Sequence, residues 1–408
     1  CDDDAAEVKK LLAAFPEDKE APLNDVGASP CLLAAEQGSH AVLRMMLDSR
    51  AAVDAACKDG RTPLLAAAMY GHDEATRMLL RAGADRDQVD GTGTTALCAA
   101  AIHGHLLVTR TLLQARADTE KHAENALTPL CGAILGGHSA VSSELLQSKA
   151  NQDAKLQDGS TAAHLAAQTG NVEGLRLLVQ AGAQLATPSQ NGATPALLAT
   201  AHGHAVILRV LRKAGVDLDQ GSSVARPLLV AATHGHSEAL QVLLESGADK
   251  DQPNSSGITP LAAAVLTESH EAFRVLMASG ADITSAAMLA AEHEQVDALN
   301  YLLLVGARSI DVAYRASAEG MVKALRGMLR VGADVNGHPA TERGTLLFEA
   351  AQAGETDVMD LLLQSQADVN RVSDATGISP LHVAANCGQA AAVKLLLDAG
   401  AAVDIAAP

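Results

Sequence analysis

Arg61-Thr62-Pro63-Leu64-Leu65-Ala66-Ala67-Ala68-Met69-Tyr70-Gly71-His72 is the stretch whose reading decides the fold. The hydroxyl of Thr62 is placed to cap a helix. Pro63 takes the first helical position, where a missing N–H costs nothing. An Ala-rich helix of about two to three turns follows, slim enough for close packing, and Gly71 breaks it. Ala75 to Leu80 then reads as a second, Leu-rich helix, closed at Gly83, where a left-handed residue carries no Cβ penalty. The polar Asp/Gly run before the next Thr reads as a turn or short hairpin.

Working outward, the same sentence recurs. Gly38, Gly71, Gly104, Gly137, Gly170 and Gly203 stand 33 residues apart. The series continues through Gly235, Glu268, Glu294, Gly320, Gly354 and Gly388, in steps of 32, 33, 26, 26, 34 and 34. Twelve repeats therefore lie between about residues 28 and 405. A fixed period of this size predicts an all-α helical repeat solenoid with short β-hairpin loops. Residues 1–27 read as a partial N-terminal helix of a truncated repeat, with Val8, Leu11 and Leu12 on one face. Residues 28–281 hold eight regular repeats, 282–335 two shortened ones, and 336–408 the last two and the C-terminal end.

Composition agrees. Hydrophobic residues at 48% exclude a disordered chain, and aromatics at 1% leave Ala and Leu to fill the core, as thin repeated layers require. A net charge of −18 argues against nucleic acid and against an anionic membrane surface, and favours a protein partner with a basic face. No apolar run reaches the length of about 18 residues needed to span a membrane. The six cysteines include no CxxC pair, so they read as reduced thiols in an intracellular protein, cytoplasmic or nuclear. A start at Cys1 and the lack of a polar capping helix after 399 are read as signs of an incomplete stack.

The recurring Thr-Pro-Leu-His-x-Ala-Ala, Gly-His and Gly-Ala-Asp words resemble those of the ankyrin repeat family, over nearly the whole chain. The resemblance implies a helix–turn–helix and a β-hairpin finger in each repeat. It also implies a curved stack whose fingers and first helices line a concave binding face. Twelve layers at about 8–10 Å each would extend over about 100–120 Å.

The chain departs from that pattern in three ways. The His of Thr-Pro-Leu-His survives only at His164 and His382; elsewhere the slot holds Leu32, Leu65, Cys98, Cys131, Leu197, Leu229, Ala262, Met288, Tyr314 and Phe348. The resemblance implies that this His links neighbouring repeats, and apolar packing is expected to replace it. Four cap glycines are replaced by Arg50, Arg116, Lys149 and Gln366, each expected to cost up to about 1 kcal/mol if it stays left-handed. Between Asp282 and Asp311 no Thr-Pro occurs, which predicts two trimmed fingers. Tyr301 and Tyr314, flanked by Phe273 and Phe348, are read there as repair of the core ahead of a binding hot spot.

No enzyme is expected. The chain carries no nucleophile elbow, phosphate-binding loop, dinucleotide fingerprint or zinc-protease helix. The pairs His103-Gly104-His105, His202-Gly203-His204 and His234-Gly235-His236 invite a metal reading. The His after each Gly, however, belongs to the turn between helices, so no metal and no cofactor is expected. Cys98 and Cys131 read as small buried hydrophobes too far apart for a disulfide. Carboxylates such as Asp85, Asp87, Asp249 and Asp251 fall where turn chemistry accounts for them.

The partner-binding candidates come from the slot before each turn glycine, on the concave side that the resemblance implies. Met69, Tyr70, Ile102, His103 and Leu135 would form one patch over three repeats, rimmed by Lys58, Asp59, Arg61, Thr92, Glu124 and Asn125. The alternative is that Met69, Ile102 and Leu135 turn inward as core. Two functions follow: a scaffold, adaptor or inhibitor that binds another protein, or a recruiting or regulatory arm of a larger enzyme or channel.

Overall fold

Ser29, Thr62, Thr95, Thr128, Thr194, Thr259, Thr345 and Ser379 each accept the backbone N–H three residues on, and each so begins a short helix. Proline follows the cap directly at Pro30, Pro63, Pro129, Pro195, Pro260 and Pro380. The computed structural model describes residues 27–121, 127–219, 226–254, 258–292, 296–339, 344–374 and 376–405. The helix expected near residues 4–14 lies outside them.

Two compact units, Cys1–Ser222 and Ser223–Pro408, each contain six helix pairs among the described residues. In the first unit the pairs are α1 (Pro30–Glu36) with α2 (His40–Asp48), α3 (Pro63–Met69) with α4 (Asp73–Arg81), and α5 (Ala96–Ile102) with α6 (Leu106–Gln114). They continue with α7 (Pro129–Leu135) and α8 (Ser139–Gln147), α9 (Ala162–Thr169) and α10 (Val172–Gln180), α11 (Pro195–Ala201) and α12 (Ala205–Lys213). Successive first helices pack on one another, and successive second helices form a parallel row behind them.

The 33-residue period becomes columns of core. Ala67, Ala100, Ala133, Ala166 and Ala199 are all fully buried on the first helices, as are Leu79, Leu112, Leu145, Leu178 and Leu211 on the second. Alanine lets the first helices approach closely. Each buried leucine contributes about 1.5–3 kcal/mol of transfer free energy. The aromatic-poor composition is thus sufficient for a layered core.

The second unit contains α13 (Pro227–Thr233) and α14 (Ser237–Glu245), α15 (Pro260–Leu266) and α16 (His270–Ala278), α17 (Ile283–Glu292) and α18 (Val296–Val305). It ends with α19 (Ser309–Ala318) and α20 (Val322–Arg330), α21 (Leu346–Ala353) and α22 (Thr356–Gln364), α23 (Pro380–Asn386) and α24 (Ala390–Asp398). The trimmed fingers are present as residues 279–282 and 306–308, against 49–62 between α2 and α3. In compensation α17 and α19 run for ten residues where a regular first helix such as α7 has seven, and α20 packs directly on α17. Phe273, Tyr314 and Phe348 are buried, and Tyr301 meets the Phe273 ring edge-on at 5.2 Å.

The hairpins are simpler than expected. Among the described residues they contain one isolated antiparallel bridge, Val89 to Thr95, and no strand. The fingers are turns tied tip to tip, as where the Gly91 N–H donates to Asp59 O (2.8 Å) and that of Gln190 to Asp158 O (2.9 Å). One backbone–backbone bond in each of these finger pairs leaves nothing to build a strand ladder from. Arg50, Arg116, Lys149 and Gln366 do adopt left-handed backbone, with φ of 60°, 61°, 67° and 67°.

Candidate functional site

The first helices of repeats two to four end at Met69, Ile102 and Leu135, one above another. Tyr70 and Leu135 face solvent, 47% and 44% exposed, and His103 is exposed as well. Met69 and Ile102 are half-buried. Ile102 leans over Gly132 of the next repeat, where an added Cβ would lie 2.6 Å from Ile102 Cγ1. The face is therefore mixed: two apolar side chains point out, Met69 is half-buried, and Ile102 is shared with the packing between layers.

The rim is largely occupied with itself. Asp59 accepts from Arg61 Nε (3.0 Å) and from the Cys57 thiol (2.5 Å), and that thiol is the main cause holding its carboxyl below the usual carboxylate range. The Thr92 hydroxyl donates to Asp90 (2.7 Å) and lies 2.9 Å from that of Thr94. Lys58, Asp59 and Thr92 are exposed and Arg61 is half-buried. Glu124 and Asn125 lie outside the described residues.

Directly beneath this face runs a ladder of inter-repeat hydrogen bonds. The His72 Nε2–H donates to Glu36 O (2.9 Å), His105 to Met69 O (2.9 Å) and His138 to Ile102 O (3.0 Å). Asn171 Nδ2 continues to Ile134 O (2.8 Å), and His204 to Gln168 O (3.1 Å). The turn histidines are structural, as their place after Gly implied, but they join repeats in addition to closing a turn. Burial lowers the pKa of His105, outweighing its bond to the Met69 carbonyl. No group of three His, Cys, Asp or Glu is placed to hold a metal among the described residues.

Two further kinds of tie join the repeats, of which the resemblance implied only that of His164. His164 accepts from the Thr161 N–H on Nδ1 (3.1 Å) and donates from Nε2 to Ala193 O in the next repeat (3.1 Å). Cys98, in the same slot two repeats earlier, makes the equivalent bond, its thiol donating to Leu127 O (3.1 Å). Apolar packing is therefore not what replaces histidine at Cys98. Burial raises its pKa to about 12, keeping the proton that the bond needs. The second tie is a rail along the fingers, where the N–H of Asp85, Asp118, Asn151 and Gln184 donates to the side chain of Asp54, Asp87, Glu120 and Asp153 respectively. Of the acids assigned to turns from the sequence, Asp85 and Asp249 bond within their own loop, whereas Asp87 and Asp251 bond the next repeat. The 33-residue spacing of the rail's acids was the available signal for it.

No helix among the described residues is long and apolar enough to cross a membrane. The ankyrin repeat family model, built of three copies, matches the chain in eight overlapping segments: 2–90, 31–123, 76–156, 97–189, 130–222, 181–254, 228–316 and 288–407. Protein phosphatase 1 regulatory subunit 12A from mouse and from rat is 36% identical over 89 residues, 22% of this chain and 9% and 8% of those proteins. Human cyclin-dependent kinase 4 inhibitor B is 34% identical over 90 residues, 22% of this chain and 64% of that protein. The chain thus spans less than two thirds of the length of each. The crystal structure of the human ASB11 ankyrin repeat domain matches with a TM-score of 0.41 and 22% identity, covering 62% of this chain and 98% of that one.

Proposed function

Because the chain belongs to the ankyrin repeat family, whose repeats are protein–protein interaction modules, we propose that it holds another protein against the ends of its first helices in repeats two to four. One observation carries this reading: Tyr70 and Leu135 are large apolar side chains left 47% and 44% exposed, on either side of half-buried Met69 and Ile102. An aromatic anchor beside aliphatic neighbours is what concentrates binding energy at interfaces. Exposed His103, Lys58, Asp59 and Thr92, with half-buried Arg61, supply a polar rim. Glu124 and Asn125 are assigned to the same rim from the sequence.

The binding is non-catalytic in this proposal, and the net charge of −18 favours a partner with a basic surface over nucleic acid. Four buried free cysteines fit a reducing compartment, the cytoplasm or nucleus. Two of the similar proteins are by name a phosphatase regulatory subunit and a kinase inhibitor. They favour, as a second reading, an arm that regulates an enzyme.

The test is affinity capture from native extract with the full chain as bait, comparing wild type with Tyr70→Glu and Leu135→Glu. Loss of the captured protein by about tenfold or more is expected, with helicity unchanged by circular dichroism. Equal capture by correctly folded variants would sink the proposal.

A further inference from the structure

The second helices carry their own column. Arg77, Arg110, Ser143, Arg176 and Arg209 take one slot in five successive repeats, 33 residues apart. Their charges are compensated unequally. Arg77 pairs with Asp73 and Glu74 on its own helix, and Arg110 reaches Glu144 on α8 at 2.8 Å. Arg176 pairs with Glu173 on its own helix at 3.5 Å, both well exposed. Arg209 has no ion pair or hydrogen bond from its side chain among the described residues, and neither has Lys213 one turn along α12. The α12 sequence AVILRVLRK contains no acid at all.

Between α10 and α12 lies an open groove of ≈ 380 Å³, lined by Val179, Val206 and Val210 as well as by Arg176, Arg209 and Lys213. Val206 is 46% exposed. In a chain of net charge −18, uncompensated cations around an apolar floor are a local reversal of the surface's character. Paired charges elsewhere in the column show that the fold supplies acids where the cations only need neutralising.

We propose that the α10–α12 groove docks an acidic amphipathic helix of another protein. Its aliphatic side chains rest on the valines, and its carboxylates meet Arg176, Arg209 and Lys213. The four-residue spacing of Arg209 and Lys213 matches carboxylates one turn apart on such a guest. The groove has no aromatic platform on which a base would stack, and three cations on an acidic chain fall short of the extended basic track that a nucleic acid needs. This site is independent of the first-helix face.

The probe is a fluorescein-labelled helical peptide of about 16 residues, with Glu at i, i+4 pairs and Leu on the adjoining face. It is titrated with the full chain and read by anisotropy. Binding is expected, weakening at least about tenfold in Arg209→Glu/Lys213→Glu and in Val206→Asp. A twin peptide with Lys in place of Glu should not bind. The gentler Arg209→Ala/Lys213→Ala variant, which removes no side-chain hydrogen bond or ion pair among the described residues, must weaken binding in the same direction. No binding by the acidic peptide, or unchanged binding by the folded charge variants, overturns the proposal. So does equal or tighter binding of oligothymidine or phosphatidylserine vesicles lost in the same variants, since that defines a general polyanion site. Tyr70→Glu should leave this titration unchanged, which separates it from the first-helix face.

Discussion

Repeats two to six and the shortened repeats in the second unit bury similar small-residue cores but are joined by different means. In the regular part, turn side chains reach across to backbone carbonyls, as His105 does to Met69, and finger acids reach across to backbone N–H groups. Where the fingers are trimmed, side chains meet side chains as well as backbone. Arg315 on α19 bonds Asp282 (3.3 Å) and the Ser285 hydroxyl (2.8 Å) at the start of α17, and pairs with Glu319 (3.0 Å) at the cap of its own helix. Glu292 at the end of α17 accepts the Ala324 N–H of α20 (3.1 Å). The rail still reaches the first trimmed finger, where the Asp282 N–H donates to Asp251 (2.7 Å), and beyond it a charged clamp with bulkier apolar filling joins the layers. A repeat is therefore defined by its two helices, and its connectors are interchangeable.

The largest expected effect tests the filling. Tyr314 occupies the slot that Cys131 occupies in the regular part, and both are buried. Tyr314→Ala should lower unfolding free energy by about 3–4 kcal/mol, against about 1 kcal/mol for Cys131→Ala. Similar losses in chemical denaturation would break the contrast.

Next come the glycines. Gly71 has φ of +78°, and a Cβ there would lie 2.6 Å from the His105 ring, whereas Gly332, at φ +91°, has open space around it. Gly71→Ala should cost about 2–3 kcal/mol, and Gly332→Ala only the backbone strain of about 1 kcal/mol. Equal costs would mean that the histidine ladder yields easily.

Protonation should separate the two kinds of joint. Burial lowers the pKa values of His105 and His164 despite their carbonyl bonds. The unfolded chain then takes up protons that the folded one refuses, so stability is complete above about pH 6.5 and declines as pH falls below it. At Asp282, partial burial opposes ionisation, but the Ser285 hydroxyl, the Thr284 and Ser285 amides and Arg315 outweigh it and hold its pKa down. Its contribution is present above about pH 3.9 and disappears only as pH falls further, through the folded value. Melting curves of His105→Gln/His164→Gln should be flatter between about pH 7 and 5, while Asp282→Asn should change the curve only in stronger acid.

The smallest effect is a gain. Lys149, at φ +67°, should give about 0.5–1 kcal/mol on replacement by Gly. No change in thermal midpoint would show that the lysine's own contacts offset the strain.

The layering was legible from sequence because period, cap and break fall on the same residues in every repeat: Thr62, Pro63 and Gly71 announce a helix by three separate physical requirements. The trimmed fingers showed as missing residues, and the strained Arg50 and Lys149 as side chains where glycine was due. Less was legible where one residue type serves two ends. An aspartate in a turn looks alike whether it bonds its own loop, as Asp85 does toward Asp87, or the next repeat, as Asp87 does toward Asp118. Cys98 as a donor needs burial and a facing carbonyl, neither of which composition supplies. Arg176 and Arg209 share a slot that the period already marked, yet only their surroundings reveal that Arg176 has an acid beside it and Arg209 has none among the described residues.

The histidine ladder ends on the carbonyl oxygens of Glu36, Met69 and Ile102, and the last two of these residues carry side chains of the first-helix face. A carbonyl is the same whatever side chain follows it. Cohesion and surface chemistry are thus written on different atoms of the same residue. The ladder's hydrogen bonds therefore do not depend on which side chain stands at 69 or 102, and directed evolution of this face is constrained at those positions only by packing, as where Ile102 leans over Gly132.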